Sequence, residues 1–208
     1  MASSGKSGPS DVSISIAAFG EDVAHQYIID ALVKRIAGEM NIEVTMNWRN
    51  AARGYPKMIR ELKQYSQGLK TEEDWPDLMV VATDANCKGW NERAKELPID
   101  GHLVPVVLAI PDPHVERWLL LDSEAFKKVY GRGFDEPKKK CERDFYKKLL
   151  INALINVGAA TGVGTLAREC SEEIISAMNL RSATRIDDSL KRFLDDLRSA
   201  LRQVSRSD

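Results

Sequence analysis

Hydrophobic residues along the first 130 positions switch repeatedly between two periods. Residues 12–19 alternate and then run apolar, and 42–48, 77–83 and 103–110 are further short apolar or alternating runs. Runs of this length predict strands. Leu78-Met79-Val80-Val81-Ala82, apolar at every position, predicts a strand covered on both faces. Between the runs, apolar residues recur every three or four positions. Tyr27, Ile28, Leu32 and Ile36 predict a helix over 23–40. Met58, Ile59, Leu62 and Tyr65 predict a second, with Pro56 in its first turn. Shorter helical patterns cover 90–97 and 115–129.

Strand alternating with helix predicts an α/β fold: a Rossmann-like central parallel sheet of about four strands with helices on both faces. Right-handed crossovers then bring the loops at Gly20, Asn50, Asp84 and Pro111 to one edge. That edge, at the carboxyl ends of the strands, is where open sheets of this class bind ligands.

Beyond residue 130 the pattern is helical only. A loop over 131–140 ends in Pro137-Lys138-Lys139-Lys140, and helices are predicted over 142–157, 166–178 and 186–204. The last carries Leu190, Phe193, Leu194, Leu197, Leu201 and Val204 on one stripe, opposite a charged face. Such a stripe either docks on its own domain or pairs with a partner chain, a second copy included. The chain thus divides into a leader over 1–11, an α/β domain over 12–130 and a helical C-terminal extension over 131–208. Gly162-Val163-Gly164 lacks the lysine and the preceding strand of a phosphate loop and reads as a turn between helices.

Composition narrows the function classes. A net charge of −1 over 208 residues gives no global field toward nucleic acid or an anionic membrane, so any such binding rests on a local patch. No apolar run reaches the roughly 20 residues needed to span a bilayer. The first ten residues contain no hydrophobic segment, so they read as a flexible leader rather than a signal peptide, and the expected location is cytoplasmic. Cys87, Cys141 and Cys170 are scattered and form no C-x-x-C pair, which favours reduced thiols, with a zinc site as the alternative.

Candidate chemistry gathers at the predicted edge. Asp84-Ala85-Asn86 leaves the third strand, and in an extended exit residues two apart point the same way. A carboxylate and an amide oxygen there suit Mg²⁺ or Mn²⁺, although Asp84 capping the next turn is the plain alternative. Glu21 follows the first strand and Glu116 follows the fourth, each with a helix-dipole role as its alternative. Jointly, Glu21, Asp84 and Glu116 form the carboxylate set a phosphodiester-cleaving cation needs. His25, four residues after Glu21, is a metal ligand, a proton shuttle or an ordinary surface histidine; His114 is the stronger candidate and His102 reads as surface. Arg49, Arg53 and Lys57 form one basic group, and Lys138, Lys139, Lys140, Arg143, Lys147 and Lys148 a second. Either group holds phosphates or is a solvated face.

These motifs resemble a Toprim domain over roughly residues 12–129. The segment Ala109-Ile110-Pro111-Asp112-Pro113-His114-Val115-Glu116-Arg117-Trp118-Leu119-Leu120 is similar to the Glu-x-Trp-x-Leu signature of RloB-like Toprim proteins. The resemblance implies a Mg²⁺-dependent nuclease of DNA or RNA of the OLD type, an effector in phage defence often beside an ATPase partner. It implies metal at Glu21, Asp84, Asn86 and Glu116. The sequence departs from the family pattern twice. Phe19 stands at the usual glutamate position, with Glu21 two residues on, and Asn86 replaces the second carboxylate of Asp-x-Asp. A non-catalytic nucleic-acid-binding or regulatory subunit is therefore the competing expectation.

Overall fold

The computed structural model describes residues 13–49, 54–68, 75–99, 101, 103–159 and 168–206. The expected leader, Arg53, His102 and the Gly162-Val163-Gly164 turn lie outside the described residues. Four strands, β1 (Ser13–Gly20), β2 (Glu43–Arg49), β3 (Leu78–Ala82) and β4 (Val106–Ala109), form one sheet in the order β2-β1-β3-β4. All three pairings are parallel, with Ala18 opposite both Trp48 and Val80. The α/β arrangement expected from the alternating periods is the one observed.

The chain steps outward from β1 to β2 through α1 (Val23–Glu39). It then returns past β1 to β3 through α2 (Tyr55–Gly68). Because parallel crossovers are right-handed, opposite directions of travel put these two helices on opposite faces. The cores record it. Ile14, Ile16 and Ala18 pack with Ile28, Leu32 and Ile36 of α1, while Ala17 and Phe19 pack with Met58 and Leu62 of α2. Successive strand residues thus serve alternate faces. The second face also receives Leu97, just after α3 (Trp90–Lys95).

The predicted helix over 115–129 is two helices, α4 (Glu116–Leu119) and α5 (Ser123–Tyr130). Asp122 causes the break: its backbone is extended and its side chain accepts a 2.9 Å bond from Ala125 N, which starts a new helix. The C-terminal helices are α6 (Phe145–Asn156), α7 (Arg168–Ala177), α8 (Leu180–Ile186) and α9 (Asp188–Val204). Asp187, extended and accepting from Leu190 N at 2.9 Å, starts α9, so the helix expected over 186–204 is observed from Asp188, and α8 before it is an additional helix that the pattern did not predict.

The C-terminal segment shares the first core with the sheet. Leu190, Phe193, Leu194, Leu197 and Leu201 are fully buried among residues of β1, β3, β4 and α1. The apolar stripe of α9 therefore docks on its own domain. The alternative expectation, an oligomer through this helix, has no free apolar face to work with. Phe193 stacks on Trp118 at 5.5 Å between centroids. Ser189 ties the start of α9 to the β4–α4 turn. Its hydroxyl accepts from Trp118 Nε1 (3.1 Å) and Asp112 N (3.2 Å) and donates to Asp187. Asp187 also holds the guanidinium of Arg117. No helix among the described residues is long and apolar enough to cross a membrane.

The cysteine expectation is overturned. Cys87 and Cys141 are joined as a disulfide, with Cα atoms 5.8 Å apart, and Cys170 is free and buried. They are 54 residues apart in sequence, but both lie in loops at the carboxyl edge of the sheet. A zinc site built on all three thiols is thereby removed.

Candidate functional site

The loops leaving β1, β3 and β4 meet at one edge, as the crossover argument requires. Thr83 N, Ala85 N and Asn86 N donate to the carbonyls of Ala109, Pro111 and Pro113, which zips the β3 exit to the β4 exit. Gly54 N donates to Glu21 O at 2.9 Å, so the end of the β2–α2 loop reaches the same place. Strand order reverses between β1 and β3, and Glu21 and Asp84 lie just past the ends of those two strands. This is the topological switch point, the usual ligand crevice of such sheets.

Asp84 is the centre of the cluster. Its Oδ1 accepts from Val115 N (2.9 Å) and lies 3.1 Å from His25 Nε2, and its Oδ2 lies 3.1 Å from His114 Nδ1. The other nitrogen of His25, Nδ1, lies 2.9 Å from Asp22 Oδ1. Both ring nitrogens of His25 face carboxylate oxygens, so both carry protons and the ring is an imidazolium. Burial disfavours that charge, but the charges of Asp84 and Asp22 and their hydrogen bonds outweigh it and hold the His25 pKa well above its ordinary value. Burial likewise pushes Asp84 up, yet the His25 charge and the two imidazole hydrogen bonds keep its carboxyl below the usual range. Asp22 settles at about 2, burial being overcome by its hydrogen bond to His25 and by the His25 charge. A hydrogen bond to Asp84 raises His114.

Glu21 and Glu116 behave differently. Glu21 Oε1 accepts from Thr83 Oγ1 and from Asp84 N (3.1 Å). Burial nevertheless raises its pKa, against the His25 charge. Burial also raises Glu116, and the charge of Asp84 adds to the effect. Among the described residues neither glutamate has an ion-pair partner within 4.0 Å; Arg117, adjacent to Glu116, is taken by Asp187. Half-buried Glu21 and buried Glu116, each beside Asp84, are carboxyls whose charge a hard cation relieves. Asp84 fits that role less well, since all its lone pairs in use point at N–H groups. Among the described residues no three His, Cys, Asp or Glu side chains are grouped as a metal-ion site.

The other sequence candidates are dispersed. Asn86 is exposed, and its Nδ2 donates back to Asp84 O at 3.4 Å. Arg49 ends β2 with its guanidinium 4.4 Å over the Tyr65 ring, and Lys57 pairs with Glu61 at 3.5 Å. Lys138 and Lys140 are exposed, while Lys139 pairs with Asp112 at 2.6 Å, which brings that basic stretch to the β4–α4 turn. Beside this turn opens a cleft of about 730 Å³ lined by Trp90, Asp112, Arg117, Lys139 and Arg192, among others. Arg192 stacks 4.1 Å over the Trp90 ring. Its lining holds none of the cluster carboxylates.

Asp22 and Thr83 were not among the sequence candidates, and His25 is fully buried rather than on the surface. The one local signal was Asp22 three residues before His25, an N-cap spacing: Asp22 Oδ1 accepts from His25 N at 3.1 Å.

The cluster makes a pH prediction for metal-free buffer. His25 has a raised folded pKa, so its stabilisation is full below 6.5 and is lost as pH rises through the folded value. Asp22 and Asp84 are lowered, so theirs is present above 3.8 and is lost on acidification, for Asp22 down to about 2. Thermal melts on the alkaline side of 6.5 should fall with pH, and His25→Gln should flatten that slope. Parallel slopes for the two proteins would remove His25 from the account.

Compared with family models, with characterised proteins and with solved structures, the chain finds no match.

Proposed function

We propose that this chain is a Mg²⁺- or Mn²⁺-dependent nuclease of the Toprim kind, hydrolysing phosphodiesters of DNA or RNA as a cytoplasmic effector in phage defence, beside an ATPase partner. One observation carries the reading: acidic side chains from the ends of β1, β3 and β4 come together around a topological switch point. When bound, the cation would neutralise the scissile phosphate and acidify a water. Glu21 and Glu116 would hold it, since their burial leaves carboxylate charge uncompensated. Asp84 orients the two imidazoles. With Nδ1 on Asp84, His114 keeps Nε2 for taking up or delivering a proton. Lys138, Lys139, Lys140, Arg49 and Arg53 would hold backbone phosphates, and Trp90 under Arg192 offers a stacking surface for a base.

A second reading, a non-catalytic nucleic-acid-binding or regulatory subunit, is favoured by one fact: both Asp84 oxygens are already engaged by N–H donors. Glu116→Gln separates the two. An amide keeps the size and most hydrogen bonding but removes the charge. Under the nuclease reading, divalent-dependent cleavage falls on the order of a hundredfold or more, with fold and oligonucleotide affinity kept. Full activity in Glu116→Gln, in the presence of any ATPase partner, would leave the regulatory reading standing.

A further inference from the structure

The segment between α5 and α6, residues 131–144, has no regular secondary structure except a turn at its end, yet it is fastened at several points. Phe134 N donates to Ser123 Oγ at 2.9 Å, and Ser123 Oγ donates to Phe134 O. Lys139 pairs with Asp112. Lys140 N donates to the Tyr146 hydroxyl at 2.7 Å, which in turn donates to Lys138 O at 3.3 Å. The covalent fastening is Cys141 to Cys87, three residues past Asp84. Lys138, Lys139 and Lys140 are thus strapped over the edge that carries the acidic cluster, and the bridge is the one anchor that a chemical signal can cut.

We propose that Cys87–Cys141 is a reversible thiol–disulfide exchange site. Oxidation holds the basic strap against the carboxyl edge, and reduction releases it and weakens nucleic-acid binding. The effect on nucleic acid rests on the nuclease reading; release of the strap does not. Three features make the bridge exchangeable. Cys141 is exposed and Cys87 half-buried, so a thiolate can reach the sulfur. Asn86 and Cys87 both have left-handed backbone, φ 49° and 61°, a conformation non-glycine residues keep only when their surroundings enforce it. Cutting the bridge removes one enforcing contact. Lys140 and Arg143 lie within two residues of Cys141 in sequence, and neighbouring cations favour the thiolate form of a freed Cys141; Lys88, next to Cys87, is held by Glu96.

The exchange balances with a dithiol as reductant. Its first thiolate attacks Sγ of Cys141, forming a mixed disulfide while Cys87 departs as thiolate and takes a proton. The second thiol of the dithiol then attacks the mixed disulfide, frees Cys141 and closes the reductant's own disulfide. Two electrons and two protons pass to the protein pair.

The test uses the full chain in EDTA, so that hydrolysis plays no part. Dithiothreitol should make Cys87 and Cys141 reactive to maleimide. It should also speed trypsin cleavage after Lys138, Lys139 or Lys140, and raise the Kd for a single-stranded oligonucleotide about tenfold at 0.1 M salt, as expected for a few lost phosphate contacts. Cys141→Ser should behave as the reduced protein with or without dithiothreitol, and Cys170→Ser should respond to dithiothreitol as wild type does. The proposal is overturned if reduced wild type and Cys141→Ser both resist trypsin at the strap as the oxidised protein does. It is equally overturned if the strap loosens while oligonucleotide affinity stays unchanged. If the strap loosens and neither state binds oligonucleotide, the strap switch stands and the nuclease reading falls.

Discussion

Leu194→Asp together with Leu197→Asp will unfold the chain. Both leucines are fully buried within the apolar core shared by the sheet and the C-terminal helices. Burying an unpaired charge costs several kcal/mol at each site even after relaxation. Two such costs match the 5–15 kcal/mol that separates a folded domain of ordinary stability from its unfolded ensemble. The expected result is loss of the cooperative thermal transition by circular dichroism. A milder variant calibrates the site: Leu197→Ala should cost about 2–5 kcal/mol and keep the transition. A double mutant that melts within a few degrees of wild type would mean that α9 is not seated on the sheet. One that stays folded but changes its sedimentation would return the stripe to an intermolecular role.

Asp84→Ala will do two separable things. In EDTA it will destabilise the protein by about 3–5 kcal/mol, the scale for removing one partner of a buried ion pair. The loss strands the His25 imidazolium with Asp22 alone and leaves Val115 N and His114 Nδ1 without their acceptor. Under the proposed function it will also weaken Mn²⁺ binding by calorimetry and lower cleavage, each by about 10–100-fold, the scale for removing an outer-shell partner of a metal site. Asp84→Asn is the discriminating variant. It keeps an acceptor for Val115 N, so it should recover part of the stability and none of the cleavage. If Asp84→Ala is as stable as wild type in EDTA, the buried His25–Asp84 pair is not an energetic centre. If it also binds Mn²⁺ normally, the site assignment goes with it.

The sheet was legible in the sequence because its information is local. Leu78 to Ala82 is apolar at every position and turned out buried on both faces. The edge location of Glu21, Asp84 and Glu116 followed from the crossover rule alone. What stayed hidden depends on pairings across long separations. The partners of His25 are one residue three positions away and another 59 away, so spacing along the helix pointed to the surface while the fold buried it. Cys87 and Cys141 meet only because two loops share an edge. The break at Asp122 was readable in principle, since the aspartate sits where a new helix begins, but the apolar period ran across it. Glu21 keeps its place through Thr83, whose hydroxyl donates to it from the end of β3, a contact that no spacing within either segment signals.

The seating of α9 on the β3 and β4 side of the first face also sets an order for biosynthesis. Ile14, Ile16 and Ala18 are covered by α1, which follows β1 directly, whereas Leu78, Val80, Val107 and Ala109 of β3 and β4 share their core with α9, which leaves the ribosome only after α5, α6, α7 and α8. At about 5–20 residues per second, the β3 and β4 part of this face waits on the order of five to twenty seconds for that helix. Those two strands cannot reach their final burial until α9 has emerged. During that interval their side of the nascent sheet presents apolar surface. A chain stopped before α9 therefore leaves that surface open and is a ligand for chaperones rather than a smaller working domain.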